Sequence, residues 1–194
     1  MNLRLLLTVA TMAIIFSGCG KETNTEPAPT PASFTTYTIQ SGAHYCDQST
    51  LKPITITNGI AFNVKFNSSA VYQTKDPANQ EDINKLWGFS EGEDHQLNSA
   101  RIGWAFCRDS LRLYGYTYAA GKRFNTEITA IETGRTIRCA IDLTADGYSI
   151  TILDKTIKLP RERTSLTTTG YQLYPYFGGD ETAPHPISID IQPL

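Results

Sequence analysis

From residue 34 onward, apolar and polar residues alternate in runs broken by Gly, Pro, Asn and Asp. A period of two puts successive side chains on opposite faces of an extended strand. The runs predict strands at Phe34–Ile39, Ile54–Phe66, Ser99–Phe106, Leu111–Tyr118, Thr126–Ile131, Thr136–Leu143, Tyr148–Leu153, Thr156–Leu159, Tyr171–Phe177 and Ile187–Ile191. About ten short strands at this spacing predict an all-β chain folded as a two-sheet antiparallel sandwich. A short helical turn is predicted at Asn79–Leu86 (NQEDINKL), with Asp76 as its cap and Pro77 at its first position. No internal repeat is visible.

The strand pair around residues 99–118 is the most informative stretch. With Cys107-Arg108-Asp109-Ser110 as the turn, Phe106 faces Leu111, Trp104 faces Leu113 and Ile102 faces Gly115, which makes that face the core face. The opposite face carries Ser99, Arg101, Gly103 and Ala105 from one strand and Arg112, Tyr114, Tyr116 and Tyr118 from the other. Arg101 then pairs with Tyr116, and Ser99 with Tyr118. Three tyrosines beside an arginine are unusual for an idle, solvent-facing strand. In the same way Cys139, in Ile137-Arg138-Cys139-Ala140-Ile141, reads as a small buried hydrophobe on a core face.

Charge sharpens this picture. The whole chain carries 17 Lys+Arg against 19 Asp+Glu, a formal net charge of −2, which gives no overall pull toward nucleic acid, whose recognition rests on clustered positive charge. Yet residues 99–123 hold Arg101, Arg108, Arg112, Lys122 and Arg123 against Asp109, five cations less one acid, or +4. Flat aromatic faces with hydroxyls, beside fixed guanidinium forks, suit a sugar ring that bears a carboxylate. Lys65 and Asn63, in the Ile54–Phe66 run, are substrate-binding candidates with Tyr118 and Arg112.

The beginning of the chain reads as an export signal. Arg4 supplies a positive n-region and Leu5–Phe16 an apolar run too short to span a bilayer. Phe16-Ser17-Gly18-Cys19 resembles a bacterial lipobox, which implies a signal over residues 1–18 and lipidation of Cys19. Residues 19–33 then form a Pro- and Thr-rich tether that extends over about 40 Å at about 3.1 Å per residue. Gly20 after the cysteine points to the outer membrane of the cell envelope rather than to inner-membrane retention. The membrane is thus an expected partner through the lipid.

Three thiols remain in the domain of residues 34–194: Cys46, Cys107 and Cys139. In an exported protein they allow one disulfide with three possible pairings, and the sequence does not choose among them. His44-Tyr45-Cys46-Asp47 has metal-ligand types but no second cluster at partner spacing, so no metal is expected. Asp76, Asn79, Glu81 and Asp82 are oxygen donors whose simpler roles are capping and solvation. His95, in the acidic Glu91–Asp94 neighbourhood, reads as a solvated loop residue and His185 as structural. Hydrolase-triad, zincin and phosphate-loop motifs are absent, and no cofactor is expected.

Several segments in order resemble polysaccharide lyase family 14: Lys85-Leu86-Trp87-Gly88-Phe89, Ser99-Ala100-Arg101-Ile102-Gly103-Trp104, Leu113-Tyr114-Gly115-Tyr116-Thr117-Tyr118, and Tyr176-Phe177-Gly178-Gly179 before Ala183-Pro184. The likeness covers residues 60–191 and rests on the order and spacing of the motifs. It implies a concanavalin A-like jelly roll and β-elimination on alginate or glucuronate polymers. It also implies that the functional lysine falls on Lys85, the Ser and Arg on Ser99 and Arg101, and the tyrosine pair on Tyr114 and Tyr116, with Tyr116 and Tyr118 as the other register. Trp87 replaces the family's proline, and the loop from Gly88 to Asn98 is short.

β-Elimination at a uronate needs a cation against the carboxylate, a base near C5 and an acid for the departing O4. Arg101 fits the first role, Lys85 or a tyrosinate the second and Tyr116 the third, with Ser99 orienting the ligand. The reading is therefore a membrane-anchored monomer that binds an acidic polysaccharide and cleaves it by elimination. The alternative, motivated by the trimmed loop, is a non-catalytic module that binds glycan or protein.

Overall fold

The structure is a computed structural model that describes residues 33–194; the signal segment, Cys19 and the tether through residue 32 lie outside the described residues. Twelve strands follow one another: β1 (Thr35–Ile39), β2 (Pro53–Thr57), β3 (Gly59–Phe66), β4 (Asn84–Ser90), β5 (Ser99–Cys107), β6 (Ser110–Ala119), β7 (Lys122–Ile131), β8 (Thr136–Thr144), β9 (Gly147–Ile152), β10 (Lys155–Leu159), β11 (Thr167–Leu173) and β12 (Ile187–Pro193). They form two six-stranded sheets, β2-β11-β4-β5-β6-β7 and β1-β12-β3-β8-β9-β10, in which neighbours run antiparallel. The architecture is an all-β, two-sheet jelly-roll sandwich.

Alternation explains the core. Phe62, Val64 and Phe66 of β3 and Ile137, Cys139 and Ile141 of β8 belong to one buried cluster with Ile102 and Trp104 of β5 and Leu111 and Leu113 of β6. Each such fully buried large side chain contributes about 1.5–3 kcal/mol relative to exposure. Trp104 sits at the centre, its ring 5.5 Å from Phe66 and 5.7 Å from Tyr72. Cys139 is buried there, as the alternation predicts, and Cys46, Cys107 and Cys139 are all free thiols rather than partners in a disulfide.

The β5–β6 hairpin has the predicted register: Phe106 pairs with Leu111, Trp104 with Leu113, Ile102 with Gly115, Arg101 with Tyr116 and Ser99 with Tyr118. Arg108 and Asp109 both adopt positive φ (51° and 55°), the tight two-residue turn whose twist matches the flanking strands.

Three predicted elements are corrected. Asp76 caps a single 3₁₀ turn at Pro77–Asn79, and the chain then extends, so Asn84–Leu86 belongs to a strand and not to a helix. The run Ile54–Phe66 is two strands in different sheets, because Asn58 and Gly59 both take positive φ and carry the chain across the sandwich. The late strand is Thr167–Leu173, and residues beyond it make isolated bridges, Tyr176 with Tyr45 and with Lys85.

Candidate functional site

The outer face of the sheet containing β5 is built in three rows, set by strand register. The first row holds Ser90, Ser99, Tyr118 and Arg123; the second, Leu173, Gly88, Arg101 and Tyr116; the third, Tyr176, Lys85, Gly103 and Tyr114. A cleft of about 580 Å³ lies on this face, lined among others by Lys85, His95, Arg101, Tyr116, Arg123 and Tyr171. Tyr45, Leu51, Tyr174 and Tyr176 extend its apolar wall. Among the described residues no Asp or Glu lines it.

Arg101 forms the floor. It is 7% exposed, and its Nε and Nη2 are buried without a hydrogen-bond partner among the described residues. Burial pushes its pKa down, opposed by Tyr116, Tyr118 and Tyr171, yet a guanidinium keeps its proton. A buried charge with unmet donors costs free energy until an anion arrives. The Tyr116 ring lies beside it, 5.8 Å from the guanidinium carbon to the ring centroid.

Lys85 reaches the same cleft because β4 is bulged: its ladder to β5 shifts between Lys85 and Trp87. Leu86 and Trp87 therefore both turn inward, and Trp87 packs 5.3 Å from each of Tyr37 and Tyr174. The Lys85 ammonium lies 5.2 Å from the Tyr116 ring centre and 5.7 Å from that of Tyr176. Burial, with Arg101 and Arg123 nearby, lowers its pKa to about 8, against a small opposing pull from Asp82. Gly178 makes this possible, since a Cβ there would lie 2.4 Å from the Lys85 Nζ. Asn84 fixes Gly178 by accepting its backbone N–H at 2.7 Å.

Tyr116 shifts the other way. Burial and the neighbouring Tyr118 push its phenol up to about 12, so it stays protonated although Arg123 pulls it down. A lowered amine and a raised phenol on the same wall are a base and an acid set apart by their surroundings.

The opposite end of the cleft holds His95, whose Nδ1 makes a 2.8 Å hydrogen bond with the Tyr171 hydroxyl. Burial and Arg101 push the imidazole pKa down, with Asp94 opposing. The sequence pattern predicts a solvated loop residue at His95 and does not single out Tyr171 or Tyr176, while Arg123 enters it only as one charge of the basic stretch. The available signal was the density of Tyr171, Tyr174 and Tyr176 in one short stretch.

Other predicted site residues serve elsewhere. The Ser99 hydroxyl is buried and donates to the His95 carbonyl at 2.6 Å, which fastens the loop that carries His95. Tyr114 is roofed by Ile83 and packs with Ala105 and Cys107, outside the cleft lining. Arg112 is paired with Glu127 at 2.6 Å. Lys65 and Asn63 are corrected outright: they lie on β3 in the other sheet, Lys65 exposed and Asn63 donating to Gln192 at 2.7 Å. The crossing at Asn58–Gly59 is the reason. Tyr118 does line the cleft, its ring 5.9 Å from that of Tyr116.

No group of His, Cys, Asp and Glu among the described residues is arranged to hold a metal ion. His44 binds the Phe177 carbonyl through Nδ1 at 2.7 Å and stacks on Tyr176 at 5.2 Å. Asp76 caps Ala78, and Glu81 faces Arg108 at 3.4 Å. His185 bonds the Ser69 carbonyl at 2.9 Å.

No family model and no curated protein matches the chain. Among solved structures it is similar to the LamA catalytic domain from Zobellia galactanivorans, with 10% identity, TM-score 0.46, and coverage of 81% of this chain and 75% of that one. It is also similar to the carbohydrate-binding module CBM66 from Bacillus subtilis, at 8% identity and TM-score 0.36 over 84% and 96% of the two chains. The alginate lyase AlgAT5, from polysaccharide lyase family 7, matches at 8% identity and TM-score 0.36 over 82% and 75%. At these values the likeness is one of sheet architecture.

Proposed function

We propose that this protein binds an acidic polysaccharide in the cleft and cleaves it by β-elimination at a uronate. The observation that carries the reading is Arg101: a nearly buried guanidinium with two unpartnered nitrogens, under a cleft whose described lining contains no carboxylate. Such a floor favours an anion, and a bidentate one most of all. Glycoside hydrolysis by a pair of carboxylates has no such pair to work with among the lining residues.

The elimination runs as follows. Arg101 holds the uronate carboxylate and so stabilises the negative charge that develops when C5 loses its proton. Lys85, neutral in part because its pKa lies near 8, takes that proton. The electron pair of the C5–H bond forms the C4–C5 double bond, the C4–O4 bond breaks, and Tyr116 gives its phenolic proton to O4. Lys85 then returns its proton to solvent and Tyr116 regains one, so neither is consumed. The resemblance of the ordered motifs to those of polysaccharide lyase family 14 supports the same assignment of Lys85, Arg101 and Tyr116. The proposal includes anchorage in the outer membrane through a lipid on Cys19, which the lipobox-like segment and the tether support.

The test is the absorbance of unsaturated uronate while the protein is incubated with a panel of uronate polymers, beside Lys85→Ala and Tyr116→Phe. A rise that either substitution abolishes is the expected outcome. Silence on every polymer, together with glycan retention that Arg101→Ala removes, would leave a binding module without the chemistry.

A further inference from the structure

The lining of the cleft is divided by charge. Its cationic side chains, Lys85, Arg101 and Arg123, stand on β4, β5 and β7, to one side of the sheet. The other side, over β11 and the segment before β2, brings in Tyr45, Leu51, Leu173, Tyr174 and Pro175, and no charged side chain among the described lining. Lys52 follows Leu51 in the chain but is not part of that lining.

Strand register puts the apolar side in line with Arg101. Arg101 pairs with Gly88 and Gly88 with Leu173. The Gln172 N–H donates to the Lys52 carbonyl at 2.9 Å, which carries the β2–β11 ladder past Pro53 and brings Leu51 opposite Leu173. At about 4.8 Å between strands, Leu51 stands about 14 Å from Arg101 along this row. The next row runs the same way, since Lys85 bridges to Tyr176 and Tyr176 to Tyr45. Tyr45 meets the Tyr176 ring edge-on at 4.9 Å, and His44 stacks on the same ring at 5.2 Å, so the platform is fixed before any ligand arrives. Even so, Tyr45 is 68% and Leu51 78% exposed, two large apolar side chains held in the open at the mouth of a groove.

A uronate held on Arg101 by its carboxylate places the next ring of the polymer over Leu173 and Leu51. A carboxylate on that ring would give up water against apolar atoms with no cation facing it, which is costly. An uncharged sugar sets a C–H face or a methyl group on the same atoms and buries apolar area instead. We infer that the polymer is a heteropolysaccharide, in which the uronate on Arg101 is followed, on the Leu51 side, by an uncharged sugar that Leu51 and Tyr45 select. The inference rests on the proposed uronate site at Arg101. It narrows the substrate from any acidic polysaccharide to one in which charged and uncharged rings alternate.

The experiment is affinity electrophoresis of the whole protein in gels that hold each polymer at matched uronate concentration and about 0.15 M salt. Homopolymers of D-glucuronate, D-mannuronate and L-guluronate stand beside polymers in which D-glucuronate alternates with an N-acetylhexosamine or with a neutral hexose. Charge alone ranks the homopolymers first, because every ring carries a carboxylate. The expected result is the reverse: an alternating polymer retards the protein at a concentration about tenfold lower than any homopolymer does, the scale of one buried apolar contact. Leu51→Ser and Tyr45→Ser should each reduce that preference. Leu51→Arg should reduce it while strengthening homopolymer binding by about two- to fivefold, the worth of an exposed ion pair. Both positions are more than half exposed, so these substitutions leave the core in place. Tightest binding to a homopolymer, or variants that weaken both kinds of polymer alike or leave the preference intact, overturns the inference and leaves the uronate site standing. No retardation by any polymer removes both. Absorbance of unsaturated uronate on the same polymers reads the elimination separately: the expected preference without absorbance upholds this inference and removes the cleavage.

Discussion

Arg101 lies opposite Gly88 across the β4–β5 ladder, so close that a Cβ on residue 88 would stand 2.5 Å from the Arg101 Cβ and 2.1 Å from the Ala100 carbonyl oxygen. The glycine leaves the room that the Arg101 backbone and Cβ occupy across the ladder. Gly88→Ala should therefore force β4 and β5 apart locally, at a cost of about 1–3 kcal/mol, typical of overpacking. Urea denaturation measures that cost. A parallel loss of anion retention would show that the space serves Arg101, whereas an unchanged midpoint would show that the ladder has slack.

Arg101→Met should act in opposite directions on binding and on stability. The substitution keeps most of the apolar stem and removes a buried charge whose Nε and Nη2 have no partner. Replacing poorly compensated buried charge by apolar atoms is often neutral or stabilising, by about 1–4 kcal/mol. The expected variant is at least as resistant to urea as wild type, and retains no acidic glycan. A marked fall in stability would mean that the guanidinium has partners of its own in the unliganded protein.

How much of this was legible in the sequence follows from which contacts are local. The β5–β6 hairpin could be read in full, because a two-residue turn and strict alternation fix every pair from Cys107 and Ser110 outward. β4 could not, since the bulge turns Leu86 and Trp87 inward together and breaks the period where the strand begins to be buried on both faces. Lys65 and Asn63 fall outside the site because the chain changes sheet at Asn58-Gly59, a crossing that the alternation alone does not report. Tyr171 and His95 meet across 76 residues, because β11 docks beside β4, and no local pattern reports that pairing.

The amine of Lys85 makes stability depend on pH in a definite sense. Its folded pKa is lowered to about 8 from 10.5, so between these values the unfolded chain binds more protons than the folded one. Stability from this group therefore rises as pH climbs from about 8 toward 10, and below 8 the burial penalty is fully present. Lys85→Met should remove that rise. Chemical denaturation at pH 7.5 and pH 9.5 measures it: a rise of equal size in the variant would assign the effect to other groups.

At the end of β4, Glu91 forms a buried ion pair with Arg161, Nε to Oε1 at 2.7 Å and Nη2 to Oε2 at 2.9 Å, and also accepts a hydrogen bond from the Tyr148 hydroxyl. Both charged side chains are 0% exposed, and Arg161 also donates to the Thr144 carbonyl at 3.1 Å. The pair ties the root of the His95 loop to β9 and to the segment after β10. Burial raises the Glu91 pKa, but the bonds from Arg161 and Tyr148 outweigh it and hold the carboxyl below its usual 4.5. A depressed carboxylate adds stability above its unfolded pKa, and that contribution is lost as pH falls through the folded value. Glu91→Gln leaves Arg161 buried without a counter-ion and should cost about 3–5 kcal/mol at pH 7, with a shallower loss of stability on acidification below pH 4.5. Adding Arg161→Met should recover much of that cost, because the orphaned charge is gone. Urea titrations of the single and double variants at pH 7 and pH 4 decide the matter, and a double variant no more stable than Glu91→Gln would show that packing rather than charge holds this corner.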